Sequence, residues 1–456
     1  MKQVAIFGGS FNPPGINHKR IAEELAKYFD EVIVVPCGPR PDKPTTNEIA
    51  PHHRAAMVDL TFQSIDRVRV ELFDLEQSSF TRTHKLQEIF ADRGQIWHVV
   101  GSDLVCNGRN KKSFIHLVWE LSDYIWENFN FVVIKRKDFD FTPEDLPPHS
   151  RLLDLSIEGS SSQIRERLAK RLDINDLVTP EVAAYIARYD LYSNRIPNRT
   201  KFLTLDRPRL LILTDKQNPK AQALSSNFEK YIDERNPNAI LVVGGDGAML
   251  RAIRNYWRRR LPFIGINAGT LGFLLNDLDS SDLLTQQPFI LQQMPMLYVK
   301  LECEDGSIKN TLAFNDAWLE RATGQTAWIE IKINGQTKIQ QLIADGALIS
   351  TPAGSTAYAR AMGAQPLPID SQALLLVGSN VLFPPNWKYA LLAPGAEVEF
   401  KNIDAKKRPV KAYVDGELQE QVTAMRVRVS RIATVELAFC QKHDMTEKLS
   451  MIQFPK

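Results

Sequence analysis

Two glycine-led segments hold the residues of this chain whose types and spacing could do chemistry: GGSFNPPGINHKR from Gly8 to Arg20, and GGDGAML from Gly244 to Leu250. Each follows a short apolar run rich in β-branched residues, so each reads as a loop leaving the carboxyl end of a strand, where open α/β sheets bind ligands. Bare backbone amides let a phosphate approach closely, and the N-terminus of the helix beyond adds positive potential. His18, Lys19 and Arg20 gather at that end of the first segment. In the second, Asp246 places a carboxylate inside a phosphate loop, where it would repel a nucleotide unless it serves a metal, a ribose hydroxyl or a proton transfer. A structural aspartate capping the next helix is the alternative. The pair implies two nucleotide sites on one polypeptide.

Alternating strand-like and helix-like segments must position the first loop. Residues 3–7, 31–36, 68–72, 96–100 and 129–134 read as strands, 18–29 as a helix, and 83–91 as amphipathic, which predicts a parallel α/β sheet with crossover helices. A further helix opens near Ser161 or Ser162. Another runs through VTPEVAAYIARYDLY, where Thr179 can cap, Pro180 suits the first turn and Glu181 favours the positive end. The polar, basic stretch SNRIPNRTKFLTLDRP, broken by two prolines, reads as a linker. Beyond it LLILT, a helix over 219–233 and AILVVGGDG form a βαβ lead-in to the second loop, and after about residue 294 the sequence alternates like strands, as in YVKLECEDGSIK and WIEIKINGQTKI. The expected domains are therefore 1–193, a linker 194–208, and 209–456 split into an α/β lobe (209–293) and a β-rich lobe (294–456) with a return of the chain at its end.

Composition agrees with that count. A chain of 456 residues exceeds what one hydrophobic core usually serves, and 44% apolar with 24% charged residues is ordinary for a globular protein. The net charge of +2 is too balanced to argue for nucleic acid or a membrane surface, which leaves small phosphorylated molecules met by local charge. Cys37, Cys106, Cys303 and Cys440 lie far apart without paired metal spacing, so reduced thiols and no structural metal are expected. No run approaches a membrane span and the first apolar stretch has strand length, so a cytoplasmic location is expected.

GSFNPP followed by His18 resembles the GxFxPxHxGH signature of nucleotidylyltransferases, specifically nicotinamide or nicotinate mononucleotide adenylyltransferases. The resemblance continues through Lys43 and Arg54 in PDKPTTNEIAPHHRAAM, SFTRTHKL, VGSDLV and SSSQIRERL, and it spans roughly residues 1–193. It implies a Rossmann-like domain in which a mononucleotide 5′-phosphate attacks the α-phosphorus of ATP and expels pyrophosphate. His18 and Arg165 would contact the phosphate chain with help from Lys43 and Arg54. Gly9, Ser10, Phe11, Gly101, Asp103, Ser161 and Ser162 would line the nucleotide pockets. Gly15 stands where bacterial relatives have the first histidine of HxGH, and two readings stay open there: an enzyme that uses Asn17 or Lys19 instead, or a nucleotide sensor without catalysis. The sequence also leaves open the amidated or the acid mononucleotide.

GGDG alone is shared with diacylglycerol kinases and phosphofructokinases. IGINAGTLGFL, FNDAWLERA and DGALISTPAGSTAYA, in that order, instead resemble NAD kinase over roughly residues 209–456. The resemblance implies that Asp246 takes the proton of the adenosine ribose 2′-hydroxyl as it attacks the γ-phosphate of ATP. Gly245 and Gly247 would cradle phosphate, Asn315 and Asp316 would grip NAD, and Asp345 with Thr356, Ala357 and Tyr358 would complete the dinucleotide pocket. Magnesium would accompany ATP, and self-association is implied as well. Together the resemblances imply successive steps, mononucleotide to NAD to NADP.

Overall fold

The computed structural model describes residues 1–41, 43–136, 141–155, 160–193, 200–277, 283–285 and 288–454. The chain divides into two compact units, Met1–Arg199 and Thr200–Lys456.

In the first unit six strands form one parallel sheet: β1 (Gln3–Gly9), β2 (Glu31–Pro36), β3 (Val68–Val70), β4 (Gln95–Gly101), β5 (Asn130–Ile134) and β6 (Ser150–Leu153). Their order is β3-β2-β1-β4-β5-β6, that of a doubly wound nucleotide-binding sheet. The central strands are apolar because helices cover both faces. Val4, Ile6, Ile33, Val35 and Ile96 pack with Leu86 and Phe90, while Phe131 and Val133 pack with Ile115, Ile125 and Trp126. Strand order reverses between β1 and β4, so the crevice beyond their carboxyl ends, Gly8-Gly9 and Gly101, is where this topology opens a binding site. Helix α1 (Ile16–Tyr28) follows β1, and α2 (Pro51–Phe62) crosses behind the loop. Thr179 caps the helix Pro180–Tyr189 by accepting from Val182 N–H at 3.4 Å, and that helix packs on α2 through Val182, Tyr185 and Ile186.

In the second unit Leu210–Thr214, Ala239–Gly244 and Phe263–Asn267 form parallel pairs. The helix expected over 219–233 is α-helical only for Pro219–Ser225 and tightens to a 3-10 helix at Ser226–Tyr231. Two features differ from the sequence reading. Residues 194–199 of the expected linker lie outside the described residues, but Lys201–Leu203 within it is a strand, paired antiparallel with Phe289–Leu291. Alternate Leu203 and Leu205 enter the core, which outweighs the polar composition around them. The α/β and β-rich lobes also share one continuous sheet. Strand Glu417–Phe439 runs antiparallel to Phe289–Cys303 and, through Leu437 and Ala438, parallel to Phe263 and Ile264. The β-rich part is held by a core of inward-facing residues such as Leu297, Leu319, Ile329, Ile349, Phe400 and Val427.

Candidate active sites

Gly15 is the N-cap of α1, so the helix begins two residues before the expected His18, and His18 falls at its third position. There the Gly15 N–H donates to His18 Nδ1 at 2.9 Å. An imidazole whose Nδ1 accepts carries its proton on Nε2, so His18 keeps one N–H donor. Burial, with the nearby Arg136 charge, brings this imidazole down to about 4, and it is neutral in ordinary buffers. Its ring packs edge-on to Phe11, centroids 5.2 Å apart. Phe11 itself is 1% exposed and touches Phe7 and Phe62, so its side chain belongs to the core rather than to the pocket wall expected of it. That burial supports a left-handed backbone, φ 42°, that a non-glycine residue seldom adopts.

Arg54 also differs from expectation. It is 1% exposed, and its guanidinium donates to the carbonyls of Ser10 (2.6 Å), Cys37 (2.8 Å) and Thr46 (3.4 Å). Committed to backbone, it shapes the loop after β1 rather than reaching a phosphate as expected. Lys43 is exposed at the start of a short 3-10 helix. The helix Ser161–Ala169, capped by Ser160, is tied to the same loop: Ser161 Oγ donates to the Pro13 carbonyl at 2.8 Å, and Arg165 donates to the Asn12 carbonyl at 2.7 Å and to Ser162 Oγ at 3.1 Å. Ser10, Asn12, Gly15, His18 and Arg165 are thus brought together. Gly15 is crowded, since a Cβ there would lie 3.1 Å from the Leu177 carbonyl and 3.2 Å from Ile164 Cδ1.

At the end of β4 the space beside Gly101 is filled by Asp103 and Arg136, whose Nε lies 3.3 Å from Asp103 Oδ1. Sequence reasoning missed Arg136; its place just past the β5 strand, on the same carboxyl edge, was the available signal. A cavity of about 350 Å³ opens beside Gly8 and Gly9 and is lined by Arg40, Phe80, Arg82, His98 and Trp119, among others. Both guanidiniums lie over the Phe80 ring, 5.4 and 5.3 Å from its centroid. Asp74 accepts from Gly38 N–H (2.6 Å) and Thr81 N–H (2.7 Å), which joins two rims of this cavity. A Cβ at Gly8 would meet nothing within 4 Å, so there is open space beside this end of β1, whereas one at Gly9 would meet the Phe11 ring at 3.0 Å.

In the second unit Asp246 opens the helix Asp246–Tyr256 after its N-cap, Gly245. Its carboxylate accepts from Phe273 N–H at 3.0 Å and Leu274 N–H at 2.9 Å, both in the AGTLGFL loop. Burial raises its pKa, while those two N–H groups and Lys448 pull the other way. A Cβ at Gly245 would meet nothing within 4 Å and one at Gly247 only Arg251, at 3.7 Å, so this loop too is open. Gly244 is tight instead, 2.8 Å from the Ala248 Cβ.

A second cluster gathers at the start of strand Asp316–Arg321. Asp415, which sequence reasoning missed, accepts from Phe314 N–H (2.7 Å), Asn315 N–H (2.7 Å) and Asp316 N–H (3.1 Å). Burial, with the Asp415 carboxylate next, pushes the Asp316 carboxyl up to about 8, so that below this pH Asp316 is a neutral acid able to donate; burial also raises Asp415, against the pull of the three amides it accepts from. Asn315 Oδ1 is buried and has no hydrogen-bond partner among the described residues. Asp345 is held by Arg321 at 2.7 Å and by the Asn380 amide at 2.7 Å. Thr356 closes a 3-10 turn, and after Ala357 the short helix at Tyr358 begins. The Tyr358 ring lies 4.9 Å from Trp318, and burial, with the Glu320 charge next, raises the pKa of its hydroxyl.

The chain matches the family model "Cytidylyltransferase-like" over residues 6–167 and the model "ATP-NAD kinase N-terminal domain" over residues 160–283. It is 33% identical to the NAD kinase of Rickettsia bellii over 248 residues, 54% of this chain and 97% of that protein. The NAD kinase of Rickettsia akari is 35% identical over the same shares. A crystal structure of yeast NADH kinase complexed with NADH covers 79% of this chain and 88% of its own at 17% identity and a TM-score of 0.43.

Proposed function

Because the chain belongs to the NAD kinase family and carries a cytidylyltransferase-like domain ahead of that part, we propose that it makes NADP in two steps, adenylyl transfer from ATP to nicotinamide mononucleotide and then 2′-phosphorylation of the NAD formed. For the kinase step, the observation that carries the reading is the Asp246 carboxylate, fixed by two backbone amides at the N-terminus of a helix beside an open glycine loop. Asp246 accepts the ribose 2′-hydroxyl proton, the oxygen attacks the γ-phosphorus, and ADP leaves. The Asn315 Oδ1 acceptor and the Asp316 acid bind the adenosine end of NAD, and Tyr358 with Asp345 binds beyond it.

For the adenylyl step the first unit supplies positioning and charge. The mononucleotide phosphate attacks the α-phosphorus while His18 Nε2–H, Arg165, Arg136 and the N-terminus of α1 face the charge that builds there and on the departing pyrophosphate. The cavity beside Gly8 takes the mononucleotide between its aromatic and guanidinium groups. Its lining sets the carboxylates of Asp74 and Glu120 against Arg40 and Arg82, with Arg82 Nε 2.9 Å from Glu120, which favours an amide over a nicotinate carboxylate. Magnesium comes with the ATP phosphates; among the described residues no group of three or more His, Cys, Asp or Glu side chains could cage it.

The purified full-length chain, given nicotinamide mononucleotide, ATP and magnesium, is expected to form NADP without added NAD. Asp246→Asn stops at NAD, and His18→Ala phosphorylates only added NAD. If added NAD is phosphorylated but neither mononucleotide is adenylylated, the first unit is a nucleotide sensor. A preference for nicotinate mononucleotide would overturn only the amide reading.

A further inference from the structure

Lys448 is 4% exposed, a cation almost wholly withdrawn from water, and it comes from the helix Met445–Gln453 at the far end of the second unit's sequence. Its ammonium donates to the carbonyls of Gly272 and of Leu275, the latter at 2.8 Å, and pairs with Asp277 Oδ2 at 2.8 Å. Those two carbonyls bracket Phe273 and Leu274, whose N–H groups hold the Asp246 carboxylate. Between Asn267 and Asn276 this loop forms no helix or strand, so nothing in its own backbone fixes the direction of those amides. Asn276 fixes only its end, donating to the Gly265 and Ala438 carbonyls and accepting from Cys440 N–H.

We propose that Lys448 is a positioning residue for phosphoryl transfer: it holds the Gly272–Leu275 turn so that two amides face Asp246, and it lends that carboxylate a buried positive charge. The proposal rests on the reading of Asp246 as the base. Among the described residues, the charged groups that act on Asp246 are Lys448, which favours its ionised form, and Asp277, which opposes it. His443, near Lys448 and Asp277, is kept neutral by burial down to about 4 and adds no charge at working pH.

The test is kinase activity of the full-length chain on added NAD against pH, for Lys448→Met, Asp277→Asn and Asp246→Asn. Lys448→Met is expected to lower kcat by about tenfold to a hundredfold, the scale of a misplaced catalytic group, with less change in KM. It should also move the acidic limb of the kcat profile up by about half a unit to one unit, because a lost cation makes the Asp246 proton harder to remove. Asp277 is half exposed, and Asp277→Asn should move that limb down. A Lys448→Met protein with unaltered kcat and limb overturns the proposal. If that variant does not fold, the Asp277→Asn profile decides, and a limb that stays in place or moves up is equally fatal. Full activity in Asp246→Asn would instead overturn the base assignment beneath it.

Discussion

Arg54 and Asp415 use the same device with opposite polarity, since one commits its donors and the other its acceptors to backbone groups of a loop that holds other residues. The Arg54 guanidinium gathers carbonyls from Ser10, Cys37 and Thr46, and Asp415 gathers the amides of Phe314, Asn315 and Asp316. Arg54→Met strands those carbonyls in the interior, and should destabilise the first unit by about 2–4 kcal/mol, read from urea unfolding of the full chain. Asp316 shows the cost of the second arrangement. Its folded pKa, about 8, lies above the ordinary 3.8, so the stability it contributes is full below 3.8 and is lost as pH rises through 8. Asp316→Asn does not titrate. Its advantage in thermal midpoint over the parent should grow across that window and level off above it; an advantage independent of pH would contradict the buried acid. Gly15 is constrained by packing, because its φ of −99° suits any residue but the Leu177 carbonyl that crowds it already accepts from Ile16 N–H at 2.7 Å. Gly15→Ala should therefore lower stability by about 1 kcal/mol, and a gain in the urea midpoint would show that the carbonyl can yield.

Elements whose signals are local were legible in the sequence. The strand Glu31–Pro36 stands where its β-branched run put it, Thr179 caps its helix, and Asn334-Gly335 turns the hairpin of Ala327–Ile333 and Gln336–Ala344 with φ of 51° and 75°. Gly335→Ala at that turn should cost about 1 kcal/mol, measurable as a lower melting temperature. Both glycine loops were legible too, because a strand, a turn and a helix N-terminus are adjacent in sequence. What escaped was set by contacts between distant residues. The strand Lys201–Leu203 is defined by Phe289–Leu291, Phe11 and Arg54 are turned inward by neighbours that no spacing announces, and Asp415 meets Asn315 a hundred positions away. Lys448 carried no local signal at all, since a lone lysine on a short amphipathic helix reads as a solvated one.

At the scale of the whole molecule, each unit has its own core, and buried neutral histidines stand in both, His18 and His98 in the first and His443 in the second. His98 is brought by burial to about 3, His18 to about 4 and His443 to about 4, all below the ordinary 6.5. Unfolding frees each to take a proton, so their contribution is full above pH 6.5 and is lost as pH falls toward those values, at most about 1.4 kcal/mol per pH unit per site. Urea midpoints taken between pH 7.5 and 4.5 should fall, and less steeply in His443→Phe, which keeps the stack on Phe439 and removes two buried nitrogens that have no partners among the described residues. An unchanged slope would mean that His443 charges freely in the folded state. The long strand Glu417–Phe439 also bears on how the protein comes into being. In the first unit every strand pair closes within Met1–Arg199, the widest step being β1 with β4, from Gln3 to Gln95, whereas in the second Phe263 and Ile264 border Leu437 and Ala438. A nascent chain can therefore complete the first sheet while the ribosome is still translating the second unit. The contacts of Lys448 with the Gly272 and Leu275 carbonyls cannot form until Lys448 has left the exit tunnel, so on a newly made molecule the first loop can be built before the turn beside Asp246 is held.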